Sequence, residues 1–147
     1  MKDNAEDLTD IGPWLWNPDV AALLSWLGFT SAFGAAIHAA NWKRLGQRRR
    51  MWTSLAWMVT LPATICMVIF ALAMTGQSKH MSQSVLPVVY LNVIAWYFLS
   101  GRAQSKHVAF ELKGKYRRDS WFFPVIVAFL IFVLPKAVTW LWLEFSA

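Results

Sequence analysis

Apolar residues in this chain follow neither the two-residue alternation of a half-buried strand nor the single stripe of an amphipathic helix. They run unbroken. No Asp, Glu, Lys or Arg occurs from Val20 to Trp42, from Met51 to Ser78, from Val85 to Gly101 or from Trp121 to Pro135. Uncharged apolar runs of about 18 residues or more predict transmembrane helices. A soluble bundle needs a polar stripe on each helix, and these runs carry none. The pattern therefore predicts an all-α, polytopic membrane protein. Four spans are expected, at about 20–42, 51–76, 83–101 and 121–143, packed as one compact integral domain over 1–147. The remainder reads as an acidic N-terminal tail over 1–19 and two basic loops over 43–50 and 102–120.

Charge turns this map into an orientation. Of the fourteen Lys and Arg residues, eleven lie in the two basic loops: Lys43, Arg44, Arg48, Arg49 and Arg50 in the first, and Arg102, Lys106, Lys113, Lys115, Arg117 and Arg118 in the second. Basic residues near span ends are retained on the cytoplasmic side. Four spans put these two loops on one side, so both are expected in the cytoplasm. Both termini and the short segment around Lys79 are then expected outside, in the periplasm. The sequence pI of about 9.8 has the same origin. Basic loops beside anionic lipid account for it, and nucleic acid is not expected as a partner. Arg48, Arg49, Arg50, Arg117 and Arg118 are the expected lipid-facing cations. The acidic start predicts that the first span stays as an anchor rather than being removed as a leader.

Ten tryptophans sharpen the picture. Indoles favour the membrane interface, with the ring buried and the N–H wet. Trp42, Trp52 and Trp121 are expected at the inner interface, and Trp14, Trp16, Trp140 and Trp142 at the outer one. The stretch "GPWLWNP" is expected to lie flat on the outer side, broken from the first span by Pro13 and Pro18. Lys136 is placed to snorkel to the same interface.

Small residues recur in the first span. Ser31, Ala35 and Ala39 form one row at four-residue spacing, and Ala32, Ala36 and Ala40 a second, with Gly28 and Gly34 nearby. Such rows let helix backbones approach closely, within the chain or against another chain. Trp14, Trp16, Gly28, Ser31, Ala35 and Ala39 are the candidate contacts for a partner. The polar residues inside spans are His38, Asn92 and Lys136. Asn92 needs a hydrogen-bond partner in lipid, with Tyr90, Thr60 and Thr64 as candidates. Pro62 and Pro87 are expected to kink spans two and three. The basic stretch after span three is expected to extend that helix, with Gly114 ending it.

The sequence carries no H-E-x-x-H, G-x-S-x-G or phosphate-binding loop and no carboxylate within a span, so catalytic residues, metal and cofactor are all expected to be absent. The single Cys66 reads as a small apolar residue.

The strings "WNPDVAALLSWLG", "HAANWKRLG" and "WYFLSGRAQSKHV" resemble small bacterial inner-membrane proteins. In size, span number and lack of reactive groups, the whole chain is also similar to the polytopic immunity proteins that protect bacteria from pore-forming toxins. That resemblance implies a non-enzymatic inner-membrane protein whose partners are membrane lipids and a toxin held within the bilayer. Two alternatives stay open: a homo-oligomeric channel or transporter subunit, with Asn92 and His38 lining a path, and an accessory subunit of a larger membrane complex.

Overall fold

The computed structural model describes residues 12–77 and 81–146, of which all but two short strands and the connections is helical. The elements are β1 (Trp14–Leu15), α1 (Pro18–Leu24), α2 (Thr30–Arg44), α3 (Arg48–Met74), α4 (Met81–Trp96), α5 (Arg102–Phe110), β2 (Arg117–Arg118), α6 (Phe122–Ala128) and α7 (Leu134–Ser146). Single π-helical turns at Ser25–Phe29, Tyr97–Gly101 and Phe129–Val133 follow α1, α4 and α6. Three segments are long and apolar enough to cross a membrane: Pro18–Arg44, Arg48–Met74 and Gln83–Phe110, with mean hydropathy 1.7, 2.2 and 1.5. The third continues past Gly101, as expected, but its helix ends at Phe110, four residues short of Gly114, which stands in the turn that follows.

The first of these segments is not one rod. A straight helix separates residues 18 and 38 by about 30 Å. Here His38 Nε2 lies 3.3 Å from the Pro18 carbonyl, and Trp16 bonds to Asn41. The chain reverses at Gly28 (φ 128°) and Thr30 (φ 68°), so α1 runs back alongside α2. A residue with a Cβ resists the dihedrals at Gly28, which is why a glycine stands there, while Thr30 takes its own positive φ despite its Cβ. The start of α1 is equally local in origin. The Asn17 Oδ1 accepts from the Asp19 and Val20 N–H groups at 2.9 and 3.4 Å, Pro18 occupies the first turn, and Asp19 adds negative charge there. The expected single span over 20–42 is thus a helical hairpin.

The hairpin moves the N-terminal segment to an unexpected end of the molecule. β1 pairs in parallel with β2, Trp14 opposite Arg117 and Leu15 opposite Arg118. The Arg117 N–H donates to the Pro13 carbonyl (3.1 Å) and the Asp119 N–H to the Leu15 carbonyl (2.9 Å). Residues 13–19 therefore lie beside both basic loops, not at the opposite end as the charge pattern had suggested. Residues 1–11 of the acidic tail and Lys79 lie outside the described residues.

After α2, a tight end with bonds from the Gly46 N–H to Lys43 and from the Gln47 N–H to Trp42 turns the chain directly into α3. Pro62 and Pro87 sit inside α3 and α4, and both helices continue through them. Two apolar clusters hold the hairpin. Ala21, Phe33 and Ile37 pack with Ala128 of α6, flanked by Trp16, Leu24, Phe29 and Trp121. Ala22 and Ala35 pack on Trp96 of α4, flanked by Trp57, Met58 and Tyr97. All of this packing is at one end. Beyond Leu61, α3 is largely bare, with Met67, Phe70 and Met74 each about 70% exposed.

Candidate functional site: a polar clasp and an apolar groove

Asn41 on α2 is fully buried and uses its whole amide. Its Oδ1 accepts from the Trp16 N–H (3.0 Å), and its Nδ2 donates to the Trp16 carbonyl (2.7 Å) and to Gln104 Oε1 (3.0 Å). The side chain thus pairs with Trp16 as a neighbouring strand would. Gln104 on α5, also fully buried, donates its Nε2 to the His38 carbonyl (3.0 Å). The His38 Nε2 faces the Pro18 carbonyl, an acceptor, so that nitrogen carries the ring proton. The His38 ring also packs on Trp96, with centroids 5.1 Å apart. Three elements distant in sequence are clasped: the entry to α1, the last turns of α2, and α5. Inside apolar surroundings such polar groups need partners, and the two amides find theirs within this network, whereas the buried His38 Nδ1 has none among the described residues.

A second pair lies deeper. Ser31 Oγ donates to Asn92 Oδ1 at 2.6 Å, joining α2 to α4. Asn92 therefore bonds within the chain, as expected, but to Ser31. Thr60 and Thr64 instead return their hydroxyls to carbonyls of their own helix.

At the basic end, cations and indoles interleave. Arg44 donates to the Trp14 carbonyl (2.9 Å) and to Asp119 (2.6 Å), and its guanidinium sits 4.1 Å from the Trp16 ring. Arg50 covers Trp42 at 4.8 Å, and Arg117 covers Trp14 at 5.4 Å. Arg48, Arg49 and Arg118 are exposed. His107 packs on Trp42 and approaches Gln47 and Glu111 at 3.3 and 2.8 Å.

The candidate partner contacts divide in two. Ser31, Ala35 and Ala39 are buried within the chain, with Ala39 at the edge of a hollow on α2. Trp14 is half-exposed at the strand edge, Trp16 is partly buried under Arg44, and Gly28 stands exposed at the tip of the hairpin. Lys136 falls in α7, and its side chain lies outside the described residues. The second row, Ala32, Ala36 and Ala40, lines an apolar groove of about 270 Å³ between Met58 of α3 and Phe123, Pro124 and Val127 of α6. An adjoining hollow of about 470 Å³ carries it along Ala36 and Ala40 to Lys43 and Met51. No group of His, Cys, Asp and Glu suited to a metal occurs among the described residues.

The fold and these sites define a class: a small helical protein, with apolar segments long enough to span a membrane, held together by buried amides. Comparison with protein-family models, curated proteins and solved structures finds no match to this chain.

Proposed function

We propose that this chain is a multi-pass protein of the bacterial inner membrane that has no catalytic role and binds a protein partner within the bilayer, as an immunity protein neutralising a pore-forming toxin. The observation that carries the reading is the uneven packing of the helices. The α1–α2 hairpin, α5 and α6 crowd the basic end, whereas the far halves of α3 and α4 present open apolar faces, including Met67, Phe70, Met74 and Leu86. With the basic end in the cytoplasm, the hairpin dips in from that side and returns to it. The α3 helix and the α4–α5 rod then cross, and α6–α7 follows them outward. The open faces stand in the outer leaflet, where a toxin arriving from the periplasm inserts its own helices. Helix association there depends on fit and on a few hydrogen bonds, not on reactive groups.

Against a channel, Asn92 and His38 already bond to Ser31 and Pro18 within the chain, which leaves them poorly placed to line a path. The test is to direct the product of the adjacent reading frame to the periplasm, with and without this chain, and to follow viability and membrane potential. Depolarisation that this chain reverses supports immunity. A harmless neighbour, or death regardless, removes immunity to that product, and a stable co-purifying membrane subunit would then favour the accessory-subunit reading.

A further inference from the structure

The apolar groove on α2 has the dimensions and the polarity of a lipid site. Its floor is one face of α2, running from Ala32 through Ala36 and Ala40 to Lys43. Eleven residues of helix rise about 16 Å. That is half of a hydrocarbon core of about 30 Å, or one leaflet. Alanines make the floor deep, Met58 and Leu55 of α3 wall one side, and Phe123 and Val127 of α6 wall the other.

The occupant follows from shape and charge. The groove and the adjoining hollow share Ala36, Ala40 and Met58 and lead along α2 to a single cation. At the interfacial end stands Lys43, exposed and without a hydrogen-bond or ion-pair partner among the described residues. Its neighbour Arg44 is already engaged by Asp119. A cation one leaflet's depth along an apolar groove from Ala32 matches the phosphate of a phospholipid whose acyl chain lies in the groove.

We infer that the face of α2 between α3 and α6 binds one anionic phospholipid of the cytoplasmic leaflet, with an acyl chain over Ala32, Ala36 and Ala40 and its headgroup at Lys43. This rests on the membrane placement proposed above and is independent of the toxin. Recovery of the chain in the soluble fraction of lysed cells would overturn that placement itself.

The experiment is native mass spectrometry of the full chain purified in mild detergent, then titrated with phosphatidylglycerol and, separately, phosphatidylethanolamine. One retained phospholipid per chain, with phosphatidylglycerol preferred, is expected. Ala36→Phe fills the groove and should abolish retention. Lys43→Gln is an exposed change that leaves the packing alone. It should keep a lipid bound but lower the preference for phosphatidylglycerol about fivefold, the contribution of one interfacial lysine. Equal retention by wild type and Ala36→Phe would overturn the proposal. So would an unchanged preference in Lys43→Gln, no lipid on the wild type, or a polypeptide held in its place. Should Ala36→Phe fail to fold, the Lys43→Gln preference decides alone.

Discussion

Asn41 shows how a single side chain directs this fold. Its amide meets both backbone groups of Trp16 and the Gln104 side chain, all away from water. Asn41→Ala leaves these groups without partners, at a cost of about 2 kcal/mol. Thermal unfolding in mild detergent should show it as a clear fall in midpoint. Gln104→Ala should destabilise through the same network, so the double variant should lose less than the sum of the two. Strict additivity would mean that the two amides act separately. Gly34 is a second point of this kind. A Cβ there would run into the Trp96 ring and Ser25 Oγ. Gly34→Val should therefore cost about 1–3 kcal/mol through overpacking, whereas Ala32→Val, on the open groove, should cost far less in the same melt.

At the scale of elements, the hairpin is the feature with most consequence. Its bend sits at Gly28, where φ is 128° and no atom lies within 4 Å of the position a Cβ would take. Gly28→Ala thus meets no collision and pays only for the backbone, on the order of 1–3 kcal/mol. If Gly28→Ala melts as the wild type does, the reversal does not depend on that dihedral. The β1–β2 pairing is tied by Arg44, through Trp14, Trp16 and Asp119. Arg44→Ala should loosen residues 12–16 selectively, seen as faster proteolysis or hydrogen exchange there while α3 and α4 stay protected. Equal protection in both proteins would show that the strands hold without the arginine.

For the whole molecule, topology is the measurable quantity. With Cys66 replaced by alanine, single cysteines at Trp14, Gln47 and Lys113 should be labelled from the same side of the membrane, and one at Gln77 from the other. Labelling of position 14 from the side of position 77 would turn the first segment back into a single crossing span and remove the hairpin. The same experiment checks the cytoplasmic placement of the basic end.

The charge-free runs by themselves determined the all-helical architecture, the positions of three of the four expected apolar segments and the grouping of the two basic loops at one end; the fourth run, over 121–143, forms α6, a π-helical turn and α7 and is not among the long segments. Each is a local property: helix formation in apolar surroundings needs only the run and its length. The sequence also marked Asn92, His38 and Ser31 as positions needing an explanation. It did not join Ser31 to Asn92, and it passed over Asn41 and Gln104 as structural centres, because amide pairing across 63 residues leaves no periodic signal. Only the tertiary structure decided that 18–44 folds back. Hydropathy is indifferent to direction, so a rod and a hairpin of the same composition read alike. The choice lay with a glycine bend and a set of buried hydrogen bonds between residues far apart in the chain. The two small-residue rows were separated the same way: packing buried Ser31, Ala35 and Ala39 and left Ala32, Ala36 and Ala40 facing an open groove.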